Sequence, residues 1–355
     1  MDDASKAFLF ELLETPSPTG DEGRVQRLLH RRLAPYADRV EVDAHGNLYL
    51  WRNPAAERRV MIAAHCDQIG FLVTEIDAKG YLHVEPLGGL DEGVVPGGRV
   101  TIHAKDGPVA GVFGRRAIHL QTVQERGQAP VLSGVWIDIG ATDREDAARC
   151  VQLGDYATYA LDVLELRHGR VAAPGLDDKA GLWVMAEAFR RLRDDRLAFG
   201  LVAVSTVQEE VGLRGAAAAA LHVRPEVGIA VDVTHATDDP GVKPGMLPCR
   251  LGGGPAIPSG PSTSPVVGRL LVEAARRHDI PYQPTPMSSL AGNDAKELQV
   301  AGGPAAAVGI GIPNRNMHTQ VEVCALDDLE HTARLLVEFL RSLRADTDFR
   351  PYRLD

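Results

Sequence analysis

Cysteine is scarce. The 355 residues hold four: Cys66, Cys150, Cys249 and Cys324. None stands in a C-x-x-C pair, so a zinc–thiolate site is not expected. Thiols this sparse fit a reduced, cytosolic protein. Positive charge is short as well. Against 48 Asp and Glu there are 38 Lys and Arg, a formal net charge of -10. Without a basic field, neither nucleic acid nor an anionic membrane is an expected partner. No apolar run approaches the roughly 20 residues of a membrane span. Residues Met1 to Lys6 lack the basic start of a secretory signal. The cytoplasm is therefore the expected location. The chain also has no internal repeat and no low-complexity tract.

Apolar sequence is plentiful, at 45% hydrophobic residues. This length suggests more than one domain. Ser5 to Leu13 and Glu22 to Leu33 have helical spacing, parted by Thr15-Pro16 and Ser17-Pro18-Thr19-Gly20. Val40 to Trp51 reads as strands around a turn at His45-Gly46-Asn47. Val60 to Ala64 is a continuous apolar run, so a central strand, and it ends in His65-Cys66-Asp67. From about Phe71 to Arg170, short strand-like runs alternate with Gly, Pro and Asp turns, around one amphipathic segment at Asp143 to Cys150. That spacing predicts a small β-rich domain. Beyond Pro174 the α/β texture returns. Asp178 to Leu192 puts Leu182, Met185, Phe189 and Leu192 on one helical face. Phe199 to Val204 and Val227 to Val231 read as buried strands. Ser264-Pro265 opens a helix reaching about Arg277. Pro304 to Ile312 reads as a strand, and Leu326 to Leu343 as the final helix. The expected fold class is α/β, with residues 1–70 and 171–355 forming one domain around an insert at 71–170.

Two adjacent carboxylates, Glu209 and Glu210, follow the Phe199 strand, and Gly212 and Gly215 mark a turn there. A carboxylate at a buried strand end needs a partner, hydrogen bonds or a metal. A solvated loop is the competing reading. Five potential metal ligands lie at or just beyond strand ends: His65, Asp177, Glu210, Asp232 and His318. Sites in open α/β sheets form outside the carboxyl ends of the strands. Two imidazoles and three carboxylates, without thiolate, suit zinc, cobalt or manganese. Taken singly, His65 would pass for a core histidine. Asp67 stands two residues on, where it could accept the second imidazole N–H and fix the tautomer. Asp177-Asp178 could cap the next helix, a role that suits Asp178. Asp232 interrupts an apolar strand, which favours a ligand. His318 is uninformative alone. His119 and His235 read as structural.

Five stretches carry a resemblance. They are Ala64 to Gly70, Leu176 to Gly181, Gln208 to Gly215, Val231 to Thr234 and Met317 to Glu322. In this order they resemble the motifs of the tetrahedral, or TET-type, aminopeptidases. That is metallopeptidase family forty-two, with its glutamyl and deblocking aminopeptidases. The match runs nearly the whole chain and includes Trp136 to Ala141 and Leu251 to Pro255.

The resemblance implies a mixed central sheet flanked by helices, as in co-catalytic zinc exopeptidases. It implies two divalent metals per subunit, zinc first, with cobalt or manganese as alternatives. Asp177 would bridge them, with His65 and Asp232 completing one and Glu210 and His318 the other. Glu209 would be the general base acting on a water between the metals, and Asp67 the partner of His65. Peptides with a free N-terminus would be the substrates. The insert would mediate dimers that build a hollow dodecamer. Gln68 stands where many relatives have Glu, and Lys179 where many have Arg, departures that touch substrate choice more than chemistry. The rival readings are a related metal-dependent N-deacylase or carboxypeptidase, and a catalytically silent assembly protein.

Overall fold

The computed structural model describes residues 1–243, 246–289 and 292–354. The chain opens with α1 (Asp3–Glu14) and α2 (Gly23–Leu33), then the hairpin β1 (Arg39–Val42) and β2 (Leu48–Arg52) and strand β3 (Arg59–His65). Six strands follow: β4 (Gly70–Ile76), β5 (Leu82–Leu87), β6 (Arg99–Ala104), β7 (Gly107–Arg115), β8 (Val135–Asp138) and β9 (Tyr156–Tyr159). Two short helices sit among them, α3 (Val123–Arg126) and α4 (Arg144–Ala148). Next come β10 (Leu164–Leu166), β11 (Arg170–Ala173), α5 (Leu176–Arg191), β12 (Gly200–Thr206), α6 (Arg214–Val223) and β13 (Val227–His235). The remainder is β14 (Ala256–Ser259), α7 (Pro265–Arg277), β15 (Gln283–Pro286), α8 (Ala295–Leu298), β16 (Ala306–Asn314), β17 (Glu322–Ala325) and α9 (Leu326–Ser342).

Among the described residues, eight strands form one mixed sheet in the order β1-β2-β12-β3-β13-β16-β14-β15. Its centre is parallel: β12 pairs with β3, β3 with β13, and β13 with β16. Parallel strands covered on both faces read as continuous apolar runs, and every residue of β12 is buried. Side chains alternate across the pleat. Val60 and Ile62 join a core with Trp183, Phe189, Leu336 and Phe339 of α5 and α9. Met61 and Ala63 join the opposite one with Ala219, Val223 and Leu298 of α6 and α8. Each fully buried Leu, Val or Phe contributes about 1.5–3 kcal/mol, so these two layers hold the sheet.

Strands β4 to β9 close into a barrel in the order β4-β5-β8-β7-β6-β9. Phe71, Phe113 and Tyr159 pack at its centre, with the two Phe rings 4.7 Å apart. A closed barrel leaves no sheet edge to pair with another chain. The barrel's last strand ends at Tyr159, earlier than the expected boundary at 170. The reason is pairing: β10 and β11 form a separate three-stranded sheet with β17.

Other boundaries shift for local reasons. Helix α1 starts at Asp3, because the Asp2 carboxylate accepts from Ser5 N–H at 2.7 Å. Strand β14 and the edge strand β15 beside it have no counterpart in the sequence pattern. They are short and contain proline, which hides the strand pattern. Among the described residues, no helix is long and apolar enough to cross a membrane.

Candidate functional site

The parallel register brings the strand ends to one place. Thr206 of β12 lies opposite His65 of β3, and Asp232 of β13 lies opposite Gly311 of β16. The turn after β12 then presents Glu209 and Glu210. The loop between β16 and β17 presents His318. Asp177 stands just after β11, where the backbone is not yet helical (φ −81°, ψ 104°). Asp178 accepts from Gly181 N–H at 3.0 Å and so caps the body of α5, as expected. Gly181 is required there, since a Cβ would fall 2.4 Å from the Asp178 carboxylate.

All five expected ligands converge. His65 Nε2 is 3.1 Å from Asp177 Oδ1 and 3.8 Å from Asp232 Oδ1. His318 Nε2 is 3.3 Å from Asp177 Oδ2 and 3.4 Å from Glu210 Oε2. Asp177 thus turns one oxygen to each histidine. His65, Asp177, Glu210, Asp232 and His318 line one cleft of about 680 Å³, together with Glu209. The ligand atoms of His65, Asp177 and Glu210 lie within 4.8 Å of one another, as do those of His65, Asp178 and Asp232.

The electrostatics favour a cation. Burial pushes the carboxyls of Asp232 and Glu210 well above the usual range, and the nearby Asp177 charge adds to it. Burial likewise raises Glu209, to about 7, with Asp294 and Asp177 contributing. Asp177 differs. Burial opposes its ionisation, but the His318 and His65 imidazoles outweigh that and hold its carboxyl well below the usual range. One oxygen of Glu210, Oε1, is buried with no hydrogen-bond partner among the described residues. An orphan acceptor among massed buried carboxylates is what a resident cation would satisfy. The carboxylate and imidazole donors fit a divalent metal.

The turn bearing the glutamates is held at both ends by Asn47. Its Oδ1 accepts from Val207 N–H at 3.0 Å, and its Nδ2 donates to the Gly215 carbonyl at 3.0 Å. Gly215 is required by this close approach, since a Cβ would fall 2.3 Å from the Val207 carbonyl oxygen. Asp67 faces both His65 and the glutamate turn. The nearer group to His65 Nδ1 is the Asp67 carbonyl oxygen, at 3.0 Å, while the carboxylate lies at 3.5 Å. That carboxylate also accepts from Glu209 N–H at 3.0 Å, Glu210 N–H at 3.3 Å and the Thr19 hydroxyl at 2.8 Å.

Sequence reasoning assigned no role to Glu322, though it closed one of the motifs. It is fully buried. Its two oxygens accept from Asp177 N–H and His318 N–H, each at 2.9 Å. A carboxylate beginning the apolar run Val323-Cys324-Ala325 was the available signal. Gln68 and Lys179 meet each other in the interior, and neither lines the cleft. His119 and His235, which read as structural, are both exposed, and His235 lines the cleft. A histidine ending a strand gives no hint of that on the sequence alone.

Comparison with known proteins follows the same lines. Residues 46–335 match the family model described as M42 glutamyl aminopeptidase. The lysyl aminopeptidase of Pyrococcus furiosus is 34% identical, across 96% of this chain and 98% of that protein. The TET aminopeptidase structure from a marine-sediment Thaumarchaeota archaeon superposes with a TM-score of 0.92 at 32% identity, covering 96% of this chain and 97% of that one. A TET peptidase of Pyrococcus horikoshii, which assembles into a tetrahedron or a large octahedral shell, gives 0.85 at 29% identity, covering 96% and 100%.

Proposed function

The chain belongs to the M42 glutamyl aminopeptidase family, and on that premise we propose that it is a two-metal aminopeptidase. It would release the N-terminal residue of peptides. The observation that carries this reading is the Asp177 carboxylate, shared between His65 and His318. Asp232 flanks the first histidine and Glu210 the second.

In this reading Asp177 would be shared by two divalent ions, zinc in the first instance. His65 and Asp232 would hold one, and Glu210 and His318 the other. Such ions would supply acidification of water, towards a pKa of about 7, and polarisation of the scissile carbonyl. Glu209 lines the cleft but is not needed as a ligand. Its carboxylate takes the proton of the attacking water and passes it to the departing amine. Asp67 fixes the backbone of Glu209 and Glu210, so it positions the base without touching substrate. The negative cleft attracts a free α-amino group, which makes the enzyme an exopeptidase.

The barrel is the dimerisation insert in this reading, and dimers build a closed shell. The tetrahedral assembly of the P. horikoshii relative supports that step. A cytoplasmic location, in keeping with four free cysteines, completes it.

Metal analysis and a substrate panel test the reading together. Two zinc ions per chain are expected, with cleavage of aminoacyl chromogenic substrates that a chelator abolishes. N-acylated peptides should resist. Cleavage of N-acylated peptides alone would point to the N-deacylase, and release from the carboxyl end to the carboxypeptidase. A protein binding no metal and cleaving nothing would be the silent scaffold.

A further inference from the structure

Glu322 serves two site residues at once without facing the cleft. It begins β17, and Glu322 pairs with Ala173 at the end of β11. Asp177 follows four residues after Ala173, so the Glu322 side chain reaches its N–H. On the other side, Arg315 and Val323 exchange backbone hydrogen bonds at 3.0 and 2.9 Å, closing the loop that holds His318. Within that loop His318 has a φ of +62°, and Asn316 a φ of +57°. Residues other than glycine seldom adopt this left-handed conformation, so something must hold them there. The Glu322 carboxylate does so at His318, by accepting its N–H at 2.9 Å.

We propose that Glu322 is a positioning residue that sets the spacing of the two metal positions, by anchoring the backbones of Asp177 and His318 to one buried carboxylate. The inference rests on the two-metal reading. It extends a pattern already present at Asp67, whose carboxylate holds the backbones of Glu209 and Glu210. Both Glu322 oxygens are needed. A glutamine there keeps one acceptor and turns an NH₂ group towards the second N–H, setting donor against donor. The freed backbone then carries its ligand out of register with the shared Asp177 oxygens.

The test compares wild type, Glu322→Gln and Glu322→Asp as full-length, metal-stripped proteins. Zinc affinity is measured by competition with a chromophoric chelator, and melting is recorded without metal. Outer-shell partners of metal ligands typically change affinity roughly 10–100-fold. Glu322→Gln should therefore bind at least one zinc about 10-fold more weakly or worse, with metal-free melting within a few degrees of wild type. Glu322→Asp, one methylene shorter, should fall between the two, and excess zinc should recover part of its activity. Equal zinc affinity in all three proteins overturns the inference and leaves the two-metal reading intact. A metal-free melting loss with unchanged affinity in the folded fraction overturns it too, because that is a purely structural role. If Glu322→Gln does not fold, Glu322→Asp is judged by the same two criteria, and failure of both to fold also overturns it. A wild-type protein that binds no zinc removes both readings.

Discussion

Lys179 donates its ammonium to the side-chain oxygen of Gln68 at 2.5 Å, and both residues are buried. The second acceptor is the Thr15 carbonyl, at 2.7 Å. Neither acceptor is charged. The lysine is therefore desolvated without an opposite charge bonded to it, and burial lowers its pKa to about 7.

That arrangement predicts a pH signature for Gln68→Glu. The folded pKa lies below the ordinary value of 10.5. Between about 7 and 10.5 the unfolded chain holds more protons than the folded one, so stability rises with pH across that window. A glutamate at position 68 pairs the ammonium and removes the rise. Gln68→Glu should gain stability near pH 7, and the gain should shrink as pH climbs towards 10. Melting curves of both proteins at several pH values check it. The preference among N-terminal residues should not move, because the pair does not line the cleft.

Asp67→Asn tests the hold on the glutamates. The carboxylate receives three donors, from Thr19 and from the backbones of Glu209 and Glu210. Asparagine retains one acceptor oxygen and brings a donor of its own. The turnover number should drop roughly 10–100-fold in a folded protein. Because Asp67 is not itself a proposed ligand, at least one metal should remain bound. Kinetics and metal content on one preparation decide between this role and a direct hold on His65, which would release a metal first.

The central sheet was legible because its parallel strands are buried on both faces. Val60 to Ala64 and Phe199 to Val204 are apolar without interruption, so Asp232 stood out inside a strand of the same kind. Convergence was a consequence of register, which a linear sequence does not carry. Nothing in the chain alone aligns Thr206 with His65. Ordered motifs bridged that gap for the five expected ligands. They did not do so for the residues that act through backbone atoms. Asn47 looked like an ordinary turn residue, yet it holds Val207 and Gly215, about 160 residues away. Glu322 lay inside a motif, but its partners are main-chain N–H groups that any residue type supplies. The left-handed backbone at His318 was equally silent.

Assembly is a separate expectation. Light scattering at micromolar concentration should give a particle near twelve times the 38.2 kDa chain mass. A dimer is the expected intermediate. A stable monomer would remove the shell from the reading without affecting the chemistry of the cleft.

The last prediction separates Glu209 from Glu210. The two are adjacent, and Glu210 approaches a proposed ligand histidine, with Oε2 3.4 Å from His318 Nε2. Glu209→Gln keeps the shape and removes the base. A positioned acid–base group contributes roughly 10²–10⁴-fold, so the turnover number should drop by that much while both metals stay bound. Glu210→Gln removes a charged ligand, so one metal should bind weakly and excess metal should restore part of the rate. Asp177→Asn should disturb both metals together, because its two oxygens face different histidines. Metal content and steady-state rates on the three purified variants make the comparison. Loss of metal from Glu209→Gln with retention in Glu210→Gln would mean that the pair is reversed. Full metal and full rate in both would mean that this turn is not the catalytic element.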